Sequence, residues 1–191
     1  MHEVHKRFCG WSSAYGSARV ESGYCDDMHT LDSRTEAYVY DRVRRMLETE
    51  DVSRLTVARV AVQCSISRRT LETHWRSLPE LLHGGFIHFY IPMAASATAE
   101  DPNERLEQAL LHIRSVLDSH LTRAAIFVAD ETGDAKRSIF ELWRHELTAL
   151  VRPFTVEEFT ELVGPMAMEM LAFGKVTHLT SIRRSVVAAL R

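Results

Sequence analysis

Between Thr56 and Trp75 the apolar residues fall at helical spacings on either side of a tight break, and this restricts the fold more than any other feature of the chain. Val57, Val60, Ala61 and Cys64 stand at i, i+3, i+4 and i+7, one apolar stripe over two helical turns. Ser65-Ile66 then makes a turn, and Leu71 and Trp75 follow at i and i+4. A hydroxyl residue precedes each stretch, Thr56 before the first and Ser67 before the second, where it can cap the free N–H groups of a helix start. Helices this short are marginal in water alone, so both must lean on neighbours.

The same period runs through the rest of the chain. A helix is expected from Asp32 or Ser33, either of which can cap it, to about Glu50, with Val39, Val43 and Leu47 on one face. Ser77-Leu78-Pro79-Glu80 opens a helix with Pro79 at its first position, running to about Ala99 with a kink at Pro92. Asp101-Pro102 starts another to about His120, and Thr122 caps one to about Thr132. Asp134 starts a helix carrying Ile139, Phe140, Trp143 and Leu147 that stops before Pro153. Thr155, with Glu158 three residues on, opens one ended by Gly174, and Ser181–Arg191 is the last. About nine helices and few Gly-bounded β-branched runs give an all-α fold. Residues 1–31 mix Gly, Ser, Asp and His without a period and are expected to be a mobile extension, with Met28 an alternative start.

Apolar residues make up 46% of the 191 and charged ones 26%, ordinary values for a globular protein. The most apolar run, Gly85–Ala99, is broken by His88, Pro92, Ser96 and Thr98 and is shorter than the roughly 20 residues a bilayer requires. The three cysteines, Cys9, Cys25 and Cys64, are too few and too scattered for a disulfide framework, so a reducing cytoplasm is expected; no metal-ligand spacing appears and no cofactor is expected. The net charge of −3 is unevenly spread. Residues 34–80 carry nine Lys/Arg against seven Asp/Glu, and 52–79 hold five arginines against Glu72 alone. Positive charge is thus concentrated around the two short helices.

With Leu71 and Trp75 turned inward, the second of those helices turns Arg68, Arg69, Glu72, Thr73 and His74 outward. Both arginines occupy its first turn, the part of such a helix that reaches base edges in a major groove, where arginine can take guanine O6 and N7 together. Thr56 and Ser67 can offer hydroxyls and backbone N–H groups to phosphate. The plain alternative is a solvated helix face.

The stretch Thr56–Leu82 resembles the DNA-binding motif of the TetR family of transcriptional regulators. The matching residues are Thr56, Val57, Val60, Ala61, Ile66, Ser67, Thr70, Leu71, His74, Trp75, Ser77, Glu80, Leu81 and Leu82. Three positions depart from the family pattern: Ser65 replaces the turn glycine, Glu72 a phosphate-contacting tyrosine, and Leu78 a lysine. A serine forced to positive φ costs about 1 kcal/mol. A carboxylate facing phosphate is repulsive, so Glu72 must turn away, pair with Arg68, Arg69 or Arg76, or accept from a cytosine N4. The resemblance implies a helix-turn-helix domain over 32–80, with Thr56, Ser67, Arg68, Arg69, Thr70, Glu72, Thr73 and His74 as DNA contacts. It also implies an effector-binding and dimerisation domain over 81–191, in a homodimeric repressor released from a near-palindromic operator by a small molecule. Phe89, Tyr90, Met93, Ile113, Phe127, Phe140, Trp143 and Met166 are the candidate effector contacts. Phe159, Gly164, Ala167, Met168, Leu171, Ile182 and Val186 are the candidate dimer contacts. Residues of these types at helical spacing are also the normal content of a core. The lever expected between the two halves is Pro79–Ala99, softened by Gly84-Gly85.

An enzyme is poorly supported. His145-Glu146-Leu147-Thr148-Ala149 lacks the second histidine of a zinc-protease motif, and no Gly-rich phosphate loop or nucleophile elbow occurs. A helical interaction module that has lost its grip on DNA, marked by Glu72 and Leu78, is the other alternative.

Overall fold

A computed structural model describes residues 31–128 and 133–174. The extension before residue 31, the segment 181–191 with Ile182 and Val186, and the side chain of Leu171 lie outside the described residues. Among the described residues all regular structure is helical: eight α-helices and two short 3₁₀ turns.

Helix α1 is Ser33–Thr49, and of its two candidate caps Asp32 serves, its Oδ1 accepting from Thr35 N at 2.6 Å. The carboxylate's bonds to Thr35 hold the Asp32 carboxyl below its usual range. Val39, Tyr40, Val43, Met46 and Leu47 form the buried stripe. Helices α2 (Val57–Cys64) and α3 (Arg68–His74) begin on Thr56 and Ser67 as expected, each hydroxyl accepting from the backbone N–H three residues on. Between them Ser65 has φ 56° and ψ 36°, the one non-glycine among the described residues with positive φ. The strain expected of a serine there is therefore present.

Helix α4 is Leu78–Phe89, capped by Ser77. Leu78 takes the first position, so Pro79 sits second, where its missing N–H still has no partner to lose. The helix expected to reach Ala99 ends ten residues earlier. Pro92 drives the residue before it out of helical geometry, and Tyr90 is already extended, so the chain breaks rather than kinks and resumes as the turn Met93–Ala95. Helix α5 is Pro102–Leu117, capped by Asp101, and α6 is His120–Phe127. The cap of α6 is Ser119, not Thr122: the Ser119 hydroxyl accepts from Thr122 N at 3.2 Å, which places Thr122 inside the helix, 3% exposed. Helix α7 is Asp134–Leu150, and α8 is Val156–Phe173, opened by a full Thr155–Glu158 capping box and closed by Gly174 at φ 67°.

The buried residues form a single cluster from Val39 to Met170, continuous across the domain boundary expected at 80/81. Helix α4 is the reason. It packs on α1 on one side and on α6 and α7 on the other. Gly84 and Gly85 let Tyr40 of α1 approach, because a Cβ on Gly84 would collide with the Tyr40 Oη. Helix α5 packs on α6, α7 and α8, and α3 leans chiefly on α2.

Candidate nucleic-acid interface

The exposed surface of α3 depends on what holds its other side. Leu71 is fully buried and Trp75 is 4% exposed. Trp75 Nε1 donates to Tyr40 Oη at 3.2 Å, and Tyr40 Oη donates in turn to Glu36 Oε1 at 2.7 Å. This relay ties the end of α3 to α1. Burial, then the Glu36 carboxylate, pushes the Tyr40 phenol well above its ordinary value, so it stays a donor. His74 joins this inner side. Its Nε2 is 3.7 Å from Glu36 Oε1 and its ring meets Trp75 edge-on at 4.3 Å. It therefore leaves the outward set in which the sequence placed it. Only the Glu36–Tyr40 spacing of four hinted at this relay, because its link to Trp75 spans 35 residues.

The outward side keeps Arg68, Arg69, Glu72 and Thr73, all exposed. Of the alternatives open to Glu72, the structure takes the pairing with Arg68: Arg68 Nε donates to Glu72 Oε1 at 2.7 Å. That bond uses one of five guanidinium N–H groups and leaves the end fork of the two terminal nitrogens open. The Arg69 guanidinium has no hydrogen-bond or ion-pair partner among the described residues, while its carbonyl accepts from Thr73 Oγ1 at 2.8 Å. Ser67 and Thr70 share a hydroxyl–hydroxyl bond of 2.6 Å. The Thr56 and Ser67 hydroxyls are committed to capping as acceptors. Behind this surface Arg59 pairs with Glu50 at 2.8 Å, and Arg42 bonds Gln63 at 3.0 Å across α1 and α2. Glu80 folds back to accept from Arg76 N at 2.7 Å. The exposed cationic groups on the first turn of α3 are thus Arg68, braced by Glu72, and Arg69.

The proposed effector contacts scatter. Met93, Ile113 and Trp143 are fully buried and Met166 nearly so, all in the common core. Phe127 and Phe140 are partly buried against it. Phe89 is 38% exposed on the surface, with the Arg44 guanidinium 5.4 Å over its ring, because α4 turns that position outward at its last residue. Two surface concavities of about 340 Å³ exist elsewhere. One is lined by Arg44, Glu48 and Asp118–Leu121, the other by Ser96, Gln108, Leu111, His112 and Ser115. Neither is lined by the residues proposed from sequence.

What the sequence reading missed is the polar cluster at the break after α4. Glu146 Oε2 accepts from Tyr90 Oη at 2.8 Å and from Met93 N at 2.9 Å. Beside it His112 Nδ1 and Ser96 Oγ are 3.0 Å apart. Burial pushes the His112 imidazole below its ordinary value, against the opposing pull of Glu146. A signal existed: Glu146 stands at i+7 from Ile139 and i+3 from Trp143, a carboxylate on a buried stripe.

Of the proposed dimer contacts, Phe159 is only 5% exposed and packs inside its own chain. Gly164 and Ala167 are half-buried and Met168 is 64% exposed, with Phe173 also exposed at the end of α8. No described helix is long and apolar enough to cross a membrane. The chain matches no family model and no curated protein.

Proposed function

We propose that this chain is a DNA-binding transcriptional regulator of the TetR type, in which α2, the turn at Ser65 and α3 form the helix-turn-helix and α3 is the reading helix. The observation that carries this is the first turn of α3. It presents Arg68 and Arg69 to solvent while Leu71, Trp75 and the Tyr40–Glu36 relay fix the opposite side of the segment. The left-handed Ser65 supports it, because the chain accepts strain there to make the turn between the two helices. The working form is a cytoplasmic homodimer, since one short helix reads only a few base pairs and a two-fold axis doubles the contact. The apo dimer blocks transcription at a near-palindromic operator. A small molecule in the body then favours a state with the reading helices wrongly spaced. Helix α4, packed on α1 and on α6 and α7, is the element able to carry that change.

Selection of bound fragments from random genomic DNA tests this reading. The expected product is a two-fold-related site, and Arg68→Ala with Arg69→Ala should abolish its retention at unchanged thermal stability. Unchanged retention by the double variant would refute it. With Glu72 and Leu78 at two phosphate-facing positions, the salt slope should correspond to fewer than about eight released counterions per dimer.

A further inference from the structure

Glu146 is an unusual residue to find on the buried stripe of α7. Its carboxylate is half-buried, and both donors that reach it, the Tyr90 hydroxyl and the Met93 N–H, are neutral. Among the described residues no arginine or lysine forms an ion pair with it. His112 stands close enough to feel its charge, yet burial favours the neutral imidazole, so that ring supplies no counter-charge near neutral pH. A half-buried carboxylate held only by neutral donors can exchange one of them for a cation, because a charge-assisted bond is the stronger.

Aromatic rings gather beside the carboxylate through Tyr90, whose hydroxyl reaches it. Tyr90 lies 5.2 Å from Phe86 and 6.0 Å from His112, centroid to centroid, and Phe86 lies 6.4 Å from Trp143. His112 and Ser96 also line one of the 340 Å³ concavities, so the cluster adjoins a recess open to solvent. A carboxylate without a counter-charge, beside aromatic rings, is the combination that selects organic cations over neutral or anionic molecules of the same shape.

We infer that this cluster binds a small organic cation, an ammonium or amidinium group on an aromatic body, with Glu146 taking the charge and Tyr90 and His112 flanking the body. The ligand enters by the recess at Ser96 and His112. Its charged head competes with the Tyr90 hydroxyl and the Met93 N–H for Glu146, and those two bonds pin the chain where α4 ends. The link from this competition to DNA release rests on the regulator reading above; the binding site does not.

Isothermal titration of the full chain with benzamidine, benzamide and benzoate tests the site, because the three differ in charge at nearly constant shape. Benzamidine should bind about tenfold or more tightly than benzamide, and benzoate not at all. Glu146→Gln, whose side-chain carbonyl can still accept from Tyr90 and Met93, should remove the preference. Equal binding of benzamide and benzamidine, no binding of any of the three, or a preference that survives in Glu146→Gln overturns the proposal. The wild-type comparison decides even where the variant folds poorly. Glu146-dependent benzamidine binding by a chain that retains no DNA supports the cation site and sinks the regulator reading instead.

Discussion

The unit α1–α3 and the body α5–α8 use polar groups differently. In the N-terminal unit most polar contacts are local: Asp32, Thr56 and Ser67 each accept from a backbone N–H three residues on, and Arg68 pairs with Glu72 four residues on. In the body several decisive bonds span the chain. Tyr90 and Met93 reach Glu146 across 56 and 53 residues, and His83 meets Ser138 across 55. The first pattern leaves charged groups outward, as the proposed reading of DNA requires. The second turns neutral donors inward toward a single carboxylate. Surface chemistry and buried chemistry are thus divided between the two ends of the molecule, with α4 touching both.

The largest effect that sharpens this division is expected from Leu71→Ala. Leu71 is fully buried, and α3 leans chiefly on α2. Truncation should cost about 2–5 kcal/mol in denaturant unfolding. Hydrogen exchange should rise first in α2 and α3 while α5 and α7 stay protected. Equal acceleration in α7 would show that the continuous core opens as one piece and would break the comparison.

The next test separates the two regions by pH. Burial holds the His112 imidazole below its ordinary value of 6.5, so below that pH the unfolded chain binds more protons than the folded one. This contribution is present above pH 6.5 and is lost as pH falls beneath it. Asp32 and Asp51, held below 3.8 by their bonds to Thr35 and Ser53, lose theirs only as pH falls past 3.8. The thermal midpoint should therefore decline in two stages on acidification, first through His112 of the body and then through carboxylates of both regions, since bonds from Arg152 and Thr155 also hold Glu158 below its ordinary value. His112→Asn should flatten the first stage and leave the second; if the first stage is as steep in that variant, another group governs it.

Legibility in the sequence followed the same division. The caps at Thr56, Ser67 and Asp101, the α2–turn–α3 break and the capping box at Thr155 depend on residues within four positions of one another and were readable, whereas the cap of α6 was misplaced by three residues, at Thr122 instead of Ser119. The positive φ at Ser65 was suggested only by the resemblance, in which a glycine takes that position. The inward turn of His74 was not readable, because it depends on Glu36 and Trp75 closing on one another through the fold. Glu146 was passed over as part of a failed zinc motif, since its partners on α4 and the turn beyond lie more than 50 residues away. The core likewise absorbed residues chosen as ligand or dimer contacts, Ile113 and Phe159 among them, because helical spacing says that a side chain faces inward without saying what it meets.

A smaller effect is expected at the turn. At φ 56° Ser65 carries a strain that glycine does not, and Ser65→Gly should stabilise the chain by about 0.5–1 kcal/mol, less the added freedom of glycine in the unfolded state. Chemical denaturation measures it directly. A destabilised variant would mean that the serine side chain contributes more than its backbone costs.

The smallest effect belongs to Glu72, and its sign is informative. The Arg68–Glu72 bond is solvent-exposed, with side-chain exposures of 67% and 43%, and such helix pairs contribute only a few tenths of a kcal/mol to stability. Glu72→Gln should therefore leave unfolding almost unchanged. On DNA two consequences oppose each other. Losing a carboxylate near phosphate should strengthen non-specific binding, while releasing Arg68 Nε lets its guanidinium wander and should weaken discrimination between bases. The expected result is a narrowed gap between specific and non-specific affinity, by about two- to threefold, read by competition of a selected site against random duplex at fixed salt. A widened gap would mean that Glu72 repels DNA more than it steadies Arg68. The brace would then be incidental, and the local pairing that distinguishes the N-terminal unit would contribute nothing to reading bases.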